Sequence, residues 1–277
     1  MKNGRLIAIL LALLAVVVAL SAISFRSGAP VRFGVTAGPD SWWACALPGY
    51  SGSDYTVAVY PDEAALLAAL REGSLDAAQV TADALSALSA EEYETVAVTR
   101  RATLTFVQPI KAGTASLSQL SGQTALVPEA LRGSQELALL QAAAPGLTLV
   151  FTPEDEILSV ARDGTLERAF LSAETAARVL SENANLHAAL DLASACFAAA
   201  GTPAPAACVV AVRSETLEQA PARLRALLEA CESSLGYAKK SHQKAALLCV
   251  QYGLDGGYGA AEIRAMIPRM GYAWEAQ

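Results

Sequence analysis

The chain has 277 residues, is 53% hydrophobic with much of that alanine, and carries a formal net charge of −7. That is enough apolar material for a sizeable core, in one large domain or two lobes. An acidic body with scattered arginines argues against a nucleic-acid surface, because binding through counterion release needs a basic face.

The first residues, Met1-Lys2-Asn3-Gly4-Arg5, are basic, and the run from Leu6 to Phe25 is uncharged. A basic start before an apolar stretch reads as an export signal. At 1.5 Å rise per residue the run also spans a bilayer. Small residues at Ala19 and Ser21, or at Ala22 and Ser24, support cleavage, and retention as an anchor is the other reading, which the length favours. Leu20-Ser21-Ala22 begins like a bacterial lipobox, but Ile23 stands where the lipidated Cys belongs, so no lipid is expected. Residues 1–25 are thus a signal peptide or N-terminal membrane anchor. The body is expected outside the cytoplasm, attached to the membrane or secreted.

Val31 to Val35 alternates as a strand, and Gly38-Pro39 is turn chemistry. Ser41 to Leu47 reads as a short helix with Trp42 and Trp43. Tyr55 to Tyr60 is a strand, Pro61-Asp62-Glu63 an acidic helix start, and Ala64 to Arg71 a helix stopped by Gly73. Ala77 to Val80 is a buried strand, and Thr81 caps the next helix. Strands follow at Glu94 to Thr99 and Thr103 to Val107. Further on come a strand at Thr124 to Val127, a helix from Ser134 to Ala143, and a strand at Thr148 to Phe151. A helix at Glu154 to Arg162, a strand at Leu166 to Leu171 and a helix opened by Ser172 complete this stretch. A Pro- and Ala-rich loop then leads to the strand Cys208 to Val212. Helices at Pro221 to Ala238, His242 to Tyr252 and Ala260 to Met266 close the chain.

Within this order the chain repeats itself. Gly73-Ser74-Leu75-Asp76-Ala77-Ala78-Gln79-Val80-Thr81-Ala82-Asp83 is echoed by Gly164-Thr165-Leu166-Glu167-Arg168-Ala169-Phe170-Leu171-Ser172-Ala173-Glu174. Upstream, Tyr60-Pro61-Asp62-Glu63 is echoed by Thr152-Pro153-Glu154-Asp155. Two equivalent α/β units imply two similar lobes with a ligand-sized cleft between them. Alternating strands and helices predict mainly parallel sheets. The strands at Thr103 to Pro109 and Cys208 to Val212 are the expected crossings. They give a first lobe of residues 31–109 plus 213–277 and a second of 110–212.

Several enzyme motifs are missing: the nucleotide-binding Gly-Lys loop, the Gly-x-Ser-x-Gly elbow, His-Glu-x-x-His and the dinucleotide glycine fingerprint. Neither His187 nor His242 lies on a predicted cleft loop; both read as helical or helix-flanking. Cys45, Cys196, Cys208, Cys231 and Cys249 form no Cys-x-x-Cys pair, so no metal site is read. Cys196 and Cys208 flank one loop and are either a bridge or two buried apolar residues.

The positive signal is positional. In open α/β sheets ligands sit beyond the carboxyl ends of the strands. That places Trp42, Gln79, Thr81, Arg132 and Ser134 at a candidate ligand site. Arg132 and the helix start at Ser134 would offer a cation and free N–H groups to an anion, and Trp42 a stacking face. Trp43 is the one expected to pack in the core.

The segments Gly73 to Gln79, Leu117 to Pro128, Leu166 to Leu180 and Val210 to Tyr237, in that order, resemble the extracytoplasmic substrate-binding proteins of ABC importers. The resemblance is to the nitrate/sulfonate/taurine and thiamine-precursor group and runs from Val31 to about Trp274. It implies a two-lobed type II periplasmic-binding-protein fold, no catalysis and no cofactor. It also implies a monomer that closes on a small polar or anionic organic solute and docks on a membrane permease. The chain departs in lacking the lipobox Cys, and in carrying Ala173-Glu174-Thr175 where the group has an acid-Pro pair. An enzyme on the same fold, of the pyrimidine-forming or menaquinone-pathway type, and a membrane-tethered sensor ectodomain are the alternatives.

Overall fold

A computed structural model describes residues 28–113, 116–199 and 201–277. The expected membrane segment at residues 6–25 lies outside them. No helix among the described residues is long and apolar enough to cross a membrane.

The chain opens with β1 (Val31–Thr36), β2 (Tyr55–Tyr60), α1 (Glu63–Arg71), β3 (Ala77–Thr81), α2 (Ala82–Leu85) and β4 (Tyr93–Arg101). Next come β5 (Thr105–Pro109), β6 (Thr124–Pro128), α3 (Gln135–Ala143), β7 (Thr148–Thr152), α4 (Glu154–Arg162) and β8 (Ala169–Leu171). Then α5 (Ala173–Glu182), β9 (Leu186–Asp191), α6 (Leu192–Ala199) and β10 (Ala206–Arg213) follow. The tail is α7 (Ser214–Gln219), α8 (Pro221–Lys240), α9 (His242–Gln251), α10 (Ala260–Met266) and β11 (Tyr272–Ala276).

Local chemistry explains the boundaries. The Asp62 carboxylate accepts the Ala65 N–H and opens α1, which buries Leu66, Ala69 and Leu70. Gly73 ends that turn at φ 75°, where a side chain would be strained. Ser134 and Ser172 accept the N–H groups of Leu137 and Thr175 and open α3 and α5. In place of the helix expected at Ser41 to Leu47, Pro39–Ala44 and Leu47–Tyr50 form two short 3₁₀ turns.

Two sheets result, in the orders β11-β4-β10-β3-β1-β2 and β7-β6-β8-β5-β9. Read from β2 and from β7, they match over five strands, and β11 is a sixth on the first sheet. β1 pairs parallel with β2 and β3, and β6 pairs parallel with β7 and β8. The fourth strand is antiparallel in each: β10 against β3 and β4, and β5 against β8 and β9. Each sheet is therefore mixed where mainly parallel pairing was expected, because the strand arriving from the other half enters in the opposite direction.

Both expected boundaries shift for the same reason. β5 belongs to the second sheet and β10 to the first, so the crossings are the connectors at residues 102–104 and 201–205. The Ala102 N–H donates to the Pro205 carbonyl across them.

Alternation divides each sheet between two cores. Val210 and Val212 join the cluster of Phe33, Trp42, Leu227 and Met266, while Val209 and Ala211 join that of Leu66, Leu70 and Val98. In the second sheet Phe106 and Phe170 face Leu137 and Leu140, and Val107 and Leu171 face Ile157 and Val179. Ala173 and Ala177 of α5 pack into the first sheet's cluster, so apolar contact joins the halves.

The sequence reading missed β9, α6 and β11. His187 is a strand residue, paired with Gln108 in the register of β5 and β9. Cys196 and Cys208 are free thiols, and no bridge joins them.

Candidate functional site

β1 and β3 end at Thr36 and Thr81, and the antiparallel partners bring Cys208, Arg100 and Tyr272 to that same end of the first sheet. In the second sheet, Pro128, Thr152 and Leu171 end the parallel strands, and Thr105 and Asp191 lie beside them. The connectors join these two ends, so the carboxyl ends of both sets of parallel strands meet at one seam.

On the first-sheet side Gln79 organises the seam. Its Oε1 accepts the Trp43 indole N–H at 2.8 Å, and its Nε2 donates to the Asp40 carbonyl at 2.8 Å. The Tyr272 hydroxyl donates to the Pro39 carbonyl. These bonds hold residues 39–43 over the sheet end and set the Asp40 carboxylate 2.5 Å from the Arg100 guanidinium. The Arg100 side chain is only 16% exposed. Its Nη2 also approaches the Cys208 sulfur at 3.6 Å, and its Nε is buried without a hydrogen-bond partner. Burial opposes the charge on Arg100, but Cys208 and Asp40 beside it hold its pKa above the ordinary value. Burial pushes the Cys208 thiol up to about 11 against the pull of Arg100, so the thiol stays protonated at neutral pH.

Tyr258 bridges the halves. Its hydroxyl donates to the Glu174 carboxylate at 2.7 Å, and its ring meets Trp42 edge-on with centroids 5.3 Å apart. Burial and the Glu174 carboxylate raise its pKa well above the phenol range. Beside the connectors a cavity of about 330 Å³ opens between Thr103, Thr105, Ala176, Leu180 and Arg269, and the Thr103 hydroxyl is buried without a partner.

The five residues expected at the site divide. Gln79 lies at the seam as a buried organiser. Thr81 caps α2, accepting from the Ala84 N–H, and donates its own N–H and hydroxyl to Glu63 at 2.7 and 3.0 Å. Trp42 does not offer a stacking face. It is as fully buried as Trp43, because its indole N–H finds the Leu254 carbonyl at 3.0 Å. Arg132 and Ser134 lie beyond β6. Arg132 is exposed, paired with Glu129 and stacked 3.9 Å above the Phe151 ring, and Ser134 caps α3. The sequence reading missed Arg100, Asp40, Tyr258 and Tyr272. The one signal available was the Arg100-Arg101 pair that closes the strand Tyr93–Arg101.

Among the described residues no group of three or more His, Cys, Asp or Glu side chains is placed to hold a metal ion. No protein-family model matches the sequence, and no curated protein matches it. Solved structures do match in shape. An ABC transporter protein from Parabacteroides distasonis aligns with TM-score 0.62 at 14% identity, over 89% of this chain and 87% of its own. The periplasmic aliphatic sulphonate binding protein SsuA from Escherichia coli aligns with TM-score 0.59 at 14% identity, over 90% and 82%. The ligand-binding component of an ABC-type import system from Staphylococcus aureus, solved with zinc bound, gives 0.54 at 12% identity, over 89% and 86%. With its matched pair of sheets joined by two short connectors, the chain has the two-lobed type II fold of the periplasmic binding proteins.

Proposed function

We propose that the protein is an extracytoplasmic solute-binding component of an ABC importer. It captures a small anionic organic solute between its lobes and presents the closed form to a membrane permease. The lobes are residues 28–101 with 206–277, and residues 105–199. The observation that carries this reading is Arg100: a guanidinium at the seam, mostly out of water, with one N–H unpaired. A buried donor without a partner costs about 1–3 kcal/mol, and an incoming sulfonate or carboxylate oxygen relieves that cost. The sulphonate named for the E. coli protein of the same fold fits a guanidinium-lined seam.

In this reading Thr81, Arg132 and the helix start at Ser134 complete the contact surface when the lobes close. Gln79 and the buried Trp42 support it from behind. The protein works as a monomer without a cofactor. Binding is favoured over catalysis because the nucleophile at the seam, Cys208, is held as a thiol, and thiolate is the reactive form. The basic and apolar N-terminal segment is proposed to keep the body at the membrane surface.

The test is a thermal-shift screen against alkanesulfonates, short carboxylates, pyrimidines, amino acids and polyamines, followed by calorimetry. A ligand at a hundred times its Kd adds about 2.7 kcal/mol of stability. Arg100→Gln is expected to weaken an anionic ligand roughly ten- to a hundred-fold, at about 1.4 kcal/mol per decade. Stabilisation by polyamines alone, or unchanged affinity in folded Arg100→Gln, would overturn the anionic assignment.

A further inference from the structure

At the amino ends of β1 and β3, the end of the first sheet away from the seam, lies a cavity of about 480 Å³. The sheet builds its floor. The Asp76 N–H donates to the Arg32 carbonyl and the Asp76 carbonyl accepts the Arg213 N–H, both at 2.9 Å, so Arg32, Asp76 and Arg213 stand side by side. Arg223 of α8 closes the rim, where its Nη1 donates to the Ala29 carbonyl at 3.1 Å. Two glycines make room for these side chains. A Cβ at Gly73 would come within 2.8 Å of Arg213 Nη1, and one at Gly28 would collide with Arg223.

The charges do not cancel. Arg32 takes both oxygens of Asp76, at 2.6 and 3.0 Å. Glu215, the other acid of the lining, accepts from the Gln219 amide at 2.9 Å. Three guanidiniums thus face two carboxylates, in a chain whose net charge is −7. The lining begins at Gly28, three residues after the apolar run from Leu6 to Phe25. At 3.8 Å per Cα step those three links reach at most about 11 Å. The headgroup layer on each side of a bilayer is about 5–8 Å deep.

We propose that this cavity is a docking site for the phosphate headgroup of an anionic phospholipid. Arg213 and Arg223 supply the donors, since Arg32 is committed to Asp76, and a guanidinium offers paired N–H groups to phosphate oxygens. This docking rests on residues 6–25 staying in the membrane. It gives an acidic body, otherwise repelled by an anionic surface, a fixed stance on it. The seam, at the opposite end of the strands, then faces away from the bilayer to meet solute.

The test uses the full chain in nanodiscs of phosphatidylcholine with rising fractions of phosphatidylglycerol, read by amide hydrogen exchange. Exchange across residues 28–32 and 214–223 is expected to slow as the phosphatidylglycerol fraction rises. An arginine at an anionic surface contributes about five-fold in affinity. Arg213→Gln and Arg223→Gln should each raise the half-maximal fraction by about that factor, with exchange in pure phosphatidylcholine unchanged as the sign that the variant folds. Arg225→Gln, the same charge change at an exposed position of α8, should leave the fraction in place. An equal shift from Arg225→Gln, or no slowing by phosphatidylglycerol, would overturn the proposal. So would equal slowing by glycerol 3-phosphate added to pure phosphatidylcholine discs, which would make the ligand a free phosphate. N-terminal sequencing that finds the exported chain without residues 1–25 would overturn it by removing the anchor. Ligand capture at the seam is read by the solute screen and stands or falls apart from all of these.

Discussion

In the first echoed unit, β2–α1–β3, the acids serve their own lobe. Asp62 caps α1, Glu63 holds the N–H and hydroxyl of Thr81, and Asp76 takes three hydrogen bonds from Arg32. In the second, β7–α4–β8, the matching Asp155 is exposed and Glu167 is 87% exposed. The last acid of the echo reverses the pattern. Asp83 is exposed, while Glu174 receives the Tyr258 hydroxyl from the other lobe. One backbone plan thus carries a unit closed on itself and a unit that reaches outward. The difference lies in what stands opposite each acid, which the repeat alone does not encode.

Four tests would break or sharpen this contrast. The largest effect is expected from Trp42→Ala, which empties the core behind Tyr258. Truncating a buried aromatic typically costs about 3–5 kcal/mol, read by urea unfolding; a loss under about 1 kcal/mol would restore Trp42 as a surface residue. Next, Glu63→Ala should cost about 1–3 kcal/mol by stranding the Thr81 donors, against less than about 0.5 kcal/mol for exposed Asp155→Ala. Equal costs would mean that the units use their helix starts alike. A double-mutant cycle of Tyr258→Phe with Glu174→Gln should give a coupling of about 0.5–1.5 kcal/mol, with none between Tyr258→Phe and Asp83→Asn.

The smallest effect concerns acid. Burial opposes the Asp76 charge, but hydrogen bonds from Arg32 outweigh it and hold the carboxyl below its ordinary value. A carboxyl depressed in the folded state adds stability above its unfolded pKa and loses it as pH falls through the folded one. Asp76→Asn should therefore flatten the stability loss below about pH 4, measured by urea titrations at stepped pH. Glu167→Gln should leave that slope as it was.

The echo was legible because each of its steps is local. The Asp62 cap, the Gly73 stop and the Ser134 and Ser172 caps all act within a few residues, and the elements they bound fall where expected. β9 was not legible: Leu186-His187-Ala188-Ala189-Leu190-Asp191 has helix-forming composition and is held extended by pairing with β5. β11 depends in the same way on β4. At the site, local position found Gln79 and missed Arg100, whose partner Asp40 is distant in sequence. Trp42 was misplaced because the carbonyl that satisfies its indole, Leu254, comes 212 residues later.

The exchange of β5 and β10 has a consequence for manufacture. Every strand of the second sheet lies between Thr105 and Asp191, whereas the first sheet has β10 at its centre, between β3 and β4. As the chain is made, the second lobe is complete in sequence while β1, β2, β3 and β4 still lack the strand that unites them. The residues synthesised earliest therefore settle last, and a chain ended between Arg101 and Ala206 leaves β4 unjoined to β1, β2 and β3.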